Sequence, residues 1–245
     1  VLFRSEDRLS IGIERLDLIG LGRIGLEPGN IQQGPVIPAD GAEADVPLTD
    51  RRALLERALG GAAMIVCEPV PVHRTGVLTR GNFLHGTDEV IPHFRKVTEP
   101  VKEAGAVILQ QLYHIGAHGD SDLSFAPHWS PSGHASYHDS DGSHRMTVAE
   151  IEELIEAHIA AAHRCQQAGF QGVEVWAAYH SLLDQFWTPW SNTRDDAWGG
   201  SLENRTRFSR RVIDGIRKRC GEDFIIGLAV STSDAQEEIG RASCR

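Results

Sequence analysis

From Thr49 onward, short apolar runs alternate with longer segments of helical periodicity, an order that implies a parallel sheet with helices on its faces. Thr49 or Asp50 can cap a helix through Leu59, Gly60-Gly61 stops it, and Ala62 to Val66 has the apolar character of a strand buried on both faces. A second helix is expected from near Asp88, capped by Thr87, to Ala104, with Pro92 in its early part and Pro100 marking a kink or interruption. Gly105 then releases the chain into a strand at Ala106 to Leu112. Thr147 and Glu150 form a capping box for a long helix in which Ile151, Leu154, Ile155, His158, Ile159 and Ala162 recur at three- and four-residue spacings. Gly169 ends it, Gly172 to Ala177 reads as the third strand, Ser201 opens a helix to about Arg219, and Phe224 to Val230 reads as the fourth. An open doubly wound sheet and an eight-stranded barrel both satisfy this alternation.

The totals narrow the function classes. With 245 residues and 41% hydrophobic content the chain can bury a sizeable core, and one barrel domain is the simplest reading. Against 34 acidic residues stand 24 basic ones, and the net charge of −10 repels both nucleic acid and an anionic membrane. The partner expected is therefore a small molecule, and nothing here sets an oligomeric state. Cys67, Cys165, Cys220 and Cys244 form no CxxC pair, so neither a disulfide framework nor a thiolate metal site is indicated and a reducing cytoplasm fits. The charged start, Val1 to Ser10, lacks the apolar core of a signal peptide, and no run of about 18 apolar residues occurs, so a soluble protein is expected. Leu2 to Ser5 and Glu238 to Arg245 resemble the translation of a common sequencing adapter. Residues 1–45 are accordingly read as an uninformative or artefactual segment, 46–237 as a partial barrel domain, and 238–245 as a scar.

Two further features invite a functional reading and resist it. Gly20-Leu21-Gly22-Arg23-Ile24-Gly25 satisfies GxGxxG, but Leu26-Glu27-Pro28-Gly29 cannot continue as the helix whose amides would hold a pyrophosphate. Residues 113 to 145 have the composition of a long excursion over a barrel mouth and hold His114, His118, His128, His134, His138 and His144, with Asp139 and Asp141 among them. No His-x-His pair is present, and Gly116 breaks the helical meaning of His114-x3-His118, so solvated loop histidines are expected rather than a metal site.

The segment from Gly169 to Phe208 decides between the two folds. It reads Gly169-Phe170-Gln171-Gly172-Val173-Glu174-Val175-Trp176-Ala177-Ala178-Tyr179-His180-Ser181-Leu182-Leu183-Asp184-Gln185-Phe186, then Asn192-Thr193-Arg194-Asp195, then Gly199-Gly200-Ser201-Leu202-Glu203-Asn204-Arg205. With Thr49-Asp50-Arg51, Gly60-Gly61, Glu68, Gln111-Leu112-Tyr113-His114-Ile115-Gly116 and Phe224 to Ser231, it resembles the old yellow enzyme and trimethylamine dehydrogenase superfamily over roughly 180 residues. The resemblance implies an α/β fold, a (β/α)8 TIM barrel that binds FMN at the carboxyl ends of its strands, here incomplete with about strands two to five present.

The same resemblance implies roles. Gln111 stands where an amide hydrogen-bonds the flavin pyrimidine, and Pro69 where a residue lies against the isoalloxazine ring. The usual carbonyl-binding pair, His-x-x-His or His-x-x-Asn, is replaced by Trp176 and Tyr179. Aromatic rings suit a cation, and with Trp187 and Trp190 in the next loop a cage for an N-methylated amine is expected, Tyr179 or His180 managing the amine proton. Ordinary packing is the other reading of Trp187 and Trp190. Asn192, Arg194, Gly199, Gly200, Asn204 and Arg205 read as structural, and Glu174 as the anchor of a buried network. Ala229 replaces an arginine that would balance charge on reduced flavin, which together with open sheet edges and no phosphate site puts FMN binding by this chain alone in doubt. The leading function is thus FMN-dependent hydride transfer through flavin N5, with oxidative demethylation ahead of NAD(P)H-driven alkene reduction. A metal-dependent barrel hydrolase and an inert truncated fragment are the competing classes.

Overall fold

The computed structural model describes residues 48–76, 87–119, 127–136 and 142–231. The GxGxxG run, both chain ends and His138, Asp139 and Asp141 lie outside them. The elements are α1 (Leu48–Leu59), β1 (Met64–Pro71), α2 (Val90–Glu103), β2 (Val107–Tyr113), the short strands β3 (Trp129–Ser130) and β4 (His144–Arg145), α3 (Val148–Gln167), β5 (Gly172–Ala177), α4 (Leu182–Trp187), α5 (Leu202–Arg205), α6 (Arg207–Cys220) and β6 (Ile225–Val230). Single 3-10 turns follow β1, at Arg74–Gly76, and β2, at Gly116–His118.

The main sheet has the order β1-β2-β5-β6, parallel throughout, so each long strand lies beside its predecessor. A doubly wound sheet reverses its order at a switch point, whereas a barrel adds strands in one direction. The described sheet does the latter and forms part of a (β/α)8 barrel. Strands β3 and β4 make a separate two-stranded ribbon within the excursion after β2.

The sheet divides its residues by face. Ile108, Leu112, Val173, Val175 and Ala177 are buried in a core with Val97 and Val101 of α2, Ile151, Leu154 and Ile155 of α3, and Val212 and Ile216 of α6. On the opposite face Gln111 stands in register with Glu174, and Glu174 with Gly227; Trp176 pairs with Ala229. Gly172 is required where β5 meets both neighbours, because a Cβ there would lie 2.3 Å from the Ile225 carbonyl oxygen and 2.7 Å from Leu109 Cδ2.

Local chemistry accounts for most boundaries. The Thr147/Glu150 capping box forms as the spacing predicts, and Gly169 leaves α3 at φ +90. Four details differ, the first being that α1 already begins at Leu48, so Thr49 and Asp50 lie inside the helix rather than capping it. The second helix starts at Val90 with no side-chain cap from Glu89 and runs through Pro100, because Val97, Thr98 and Val101 are held in the interior on either side of it. The helix opened by Ser201 divides at Thr206 into α5 and α6. Helix α4, too short to show a period, was not expected. Among the described residues, no helix is long and apolar enough to cross a membrane.

His158, at an apolar position of α3, is fully enclosed. Its Nδ1–H donates to the Leu154 carbonyl at 2.7 Å, and its ring meets Phe208 edge-on at 5.7 Å. Burial pushes its pKa from 6.5 down to about 4. The unfolded chain takes up this proton near pH 6.5 and the folded chain does not, so stability is complete above 6.5 and falls as pH drops toward 4. At pH 5 that loss is about 2 kcal/mol. His158→Leu is expected to lose correspondingly less stability between pH 7.5 and pH 5, measured by urea denaturation at both.

Candidate active site

Because every long strand is parallel, all their carboxyl ends share one rim, and the residues with chemistry to offer lie there. At the end of β1 the register slips between Cys67 and Val70, a bulge that contains Glu68 and the half-buried Pro69. Gln110 Nε2 donates to the Glu68 carbonyl at 2.5 Å and fixes that bulge. Next along the rim, Gln111 Nε2 donates to Glu174 Oε1 at 2.5 Å, so Glu174 anchors a polar contact as its place in a strand suggests. The Gln111 amide has a second N–H and a carbonyl oxygen beyond that bond. Both side chains are half-buried on the sheet face away from the helices.

Trp176, two residues beyond Glu174 on the same face of β5, stands between two other rings. Tyr113 of β2 meets it at 5.6 Å and Tyr179 at 6.2 Å, both edge to face. Its cross-strand partner is Ala229. At these two positions the chain has indole beside methyl, so a large ring adjoins a small neighbour.

Past the end of β5 the backbone turns on two left-handed residues, Tyr179 at φ 54 and His180 at φ 56. Neither is glycine or asparagine, and each such residue costs on the order of 1–3 kcal/mol that its surroundings must offset. Tyr179 is 74% exposed, and its N–H donates to Ser231 Oγ at 2.8 Å. His180 is 3% exposed and is engaged at both backbone groups, at one ring nitrogen and on a ring face. Its N–H donates to Asp184 Oδ2 at 2.9 Å, its carbonyl accepts from Gln185 Nε2 at 2.7 Å, and its ring stacks on Trp190 at 4.4 Å. Its Nδ1 shares a 2.5 Å hydrogen bond with His118 Nε2. Burial pushes the His180 imidazole down to about 4, with His134 adding to the shift, so the ring is neutral near pH 7. Burial raises the Asp184 carboxyl, an effect opposed by its bonds from His180 N–H and Thr188.

The four aromatic residues expected to form one cage therefore divide. Trp176 and Tyr179 come together, with Tyr113 as an unforeseen third ring. Trp190 belongs with His180. Trp187 packs against the core and donates from Nε1 to Ser209 Oγ at 3.0 Å.

Loop histidines expected to be solvated are mostly enclosed. His114 is fully buried: Gly116 N–H donates to its Nδ1, which places the proton on Nε2 facing Thr75 Oγ1 at 3.1 Å. Thr75 Oγ1 in turn lies 2.7 Å from His73 Nδ1, and His73 Nε2 reaches Glu153 at 3.1 Å. His128 Nδ1 donates to the Thr75 carbonyl at 2.9 Å. These rings join the turn after β1 to the excursion after β2, and among the described residues no group of three or more His, Cys, Asp or Glu is placed to hold a metal ion. A groove of about 970 Å³ between α3 and α6 lies on the outer layer, away from the rim. Its lining of Glu156, Arg164, Arg211 and Asp214 mixes both signs and offers no convergent set.

Gln185 escaped notice in the sequence because it sits in a segment without periodicity. Besides the His180 carbonyl it bonds the Ile115 carbonyl at 3.0 Å and accepts from Ala117 N–H at 3.1 Å, clamping the loops after β2 and β5 together. Gly116, at φ +70, makes room for it: a Cβ there would lie 2.3 Å from the Gln185 amide. Gln185→Leu leaves two buried carbonyls and an amide without this partner, and a loss of about 2–4 kcal/mol in thermal or urea unfolding is expected.

Comparison with known proteins agrees with this frame. Residues 32–242 match the NADH:flavin oxidoreductase / NADH oxidase family. The chain is 34% identical over 184 residues to the N,N-dimethylglycine/sarcosine dehydrogenase of Chromohalobacter salexigens, covering 71% of this chain and 26% of that one. It is 35% identical to an NADPH dehydrogenase of Bacillus subtilis, covering 74% of this chain and 52% of that one. Among solved structures, a 2-naphthoyl-CoA reductase complex superimposes with a TM-score of 0.69 at 30% identity, covering 79% of this chain and 33% of that one. The chain thus spans about a quarter to a half of the length of the curated relatives it matches. A parallel sheet in barrel order and a match to the family over residues 32–242 place the chain in the NADH:flavin oxidoreductase / NADH oxidase family, whose old yellow enzyme relatives bind FMN.

Proposed function

We propose that this chain forms the substrate-facing part of a flavin-dependent oxidoreductase that demethylates an N-methylated amine. The observation that carries the reading is the convergence of Tyr113, Trp176 and Tyr179 at the rim, where carbonyl-binding relatives place an imidazole pair. Ring faces attract an alkylammonium group and offer an enolate oxygen little. The dehydrogenase of Chromohalobacter, named for N,N-dimethylglycine and sarcosine, supports the same class.

The described residues fit part of a flavin bed. Gln111 retains donor and acceptor capacity for the pyrimidine edge, and Glu68 and Pro69 border the adjoining face. At 229 an alanine stands where a cation would balance reduced flavin, so this rim offers less support for that charge. FMN, when bound, supplies a two-electron acceptor at N5.

Oxidation of a methyl carbon removes hydride, and hydrolysis of the resulting iminium by water releases formaldehyde and the demethylated amine. Trp176 and Tyr179 hold the amine by its methyl groups, with the buried ring of Tyr113 backing Trp176. Tyr179, exposed at the rim, is the group whose hydroxyl reaches a bound amine; the enclosed imidazole of His180 does not.

Anaerobic stopped-flow absorbance of the full-length flavoprotein tests the reading. N-methylated amines are expected to bleach the oxidised flavin band with release of formaldehyde, and Trp176→Leu is expected to lower kcat/KM for them about tenfold. Bleaching by NADPH alone, followed by reoxidation with an activated alkene, would assign the site to ene reduction instead.

A further inference from the structure

We infer that His118 and His180 are positioning residues: paired with each other, with His180 stacked on Trp190, they hold the corner that fixes the Tyr179 ring beside Trp176. The inference rests on the reading of Tyr179 as a substrate-facing group. Three observations carry it. The corner itself is two consecutive left-handed residues with full side chains, which do not adopt that conformation without outside restraint. The restraint is concentrated on His180, whose N–H, carbonyl, ring nitrogen and ring face are each engaged, by Asp184, Gln185, His118 and Trp190.

Tyr179, by contrast, is held among the described residues at its N–H, by Ser231, and along one ring edge, by Trp176. Where its ring stands therefore follows from where His180 is anchored. His118 belongs to the 3-10 turn after β2, so the loop of one strand sets the geometry at the end of the next. A side chain at 180 and its partner at 118 thereby control the width of the aromatic opening, and with it which alkyl groups on nitrogen are admitted.

The test uses the full-length FMN-loaded protein with two readouts. Fluorotyrosine placed at 179 reports the surroundings of that ring by fluorine NMR. Tetramethylammonium, which carries no oxidisable lone pair, reports cation binding by titration. His118→Leu is expected to move the fluorine resonance toward that of free fluorotyrosine and to weaken tetramethylammonium binding about fivefold or more, with flavin content unchanged. His118→Gln, which can restore a hydrogen bond near the Nε2 position, is expected to recover most of both. Should His118→Leu fail to fold, Trp190→Leu removes the half-exposed side of the stack and carries the same two expectations. An unchanged fluorine resonance in either folded variant overturns the positioning role. A resonance that moves in a protein never binding tetramethylammonium upholds the positioning role and sinks the amine reading alone.

Discussion

Parallel strands cannot be joined by short hairpins. Each must return through a helix on the outside of the sheet, and so every strand begins at one rim and ends at the other. In this chain that requirement brings together residues far apart in sequence: the bulge at Glu68 and Pro69, the amide of Gln111, the Trp176–Tyr179 pair and Ser231. The helices cover the opposite face with Val101, Ile151, Leu154, Val212 and Ile216, which leaves the inner face to polar and aromatic side chains. The site is in this sense a product of strand direction, and the residues on it inherit their spacing from the sheet register.

A second layer of order comes from buried polar side chains in the loops. Gln185 bonds three backbone groups from two loops, His114 and Thr75 link the turns after β1 and β2, and Arg194 bonds the carbonyls of Pro131 and Met146 while pairing with Asp196. Each group is enclosed, so removing one partner strands another without water to replace it. Loops built this way keep the rim rigid without extending the sheet. The neutral histidines among them, His114 and His180, carry a cost in acid, because enclosure favours the uncharged ring.

Much of the fold was legible in the sequence. The Thr147/Glu150 box, the glycines at 61, 105 and 169, and the apolar run from Gly172 to Ala177 each state a local requirement that the structure meets at the same residues. Pro100 was less informative, since tertiary packing on both sides of it holds α2 together. Helix α4 left no trace because six residues are too few for a periodic signal. His114, His118 and His128 are enclosed rather than solvated, because composition records how polar a loop is and not what it packs against.

The sequence by itself determined the family, through a signature long enough to be specific, and it supplied the identities of Trp176, Tyr179 and Ala229. Tertiary structure alone decided how those residues are used. It set Trp176 between Tyr113 and Tyr179, moved Trp187 into packing, and placed His180 against His118 and Trp190 as an anchor. The reason is physical: residue identity is local, whereas which rings meet depends on strand register and on two left-handed residues whose conformation is held by side chains from another loop.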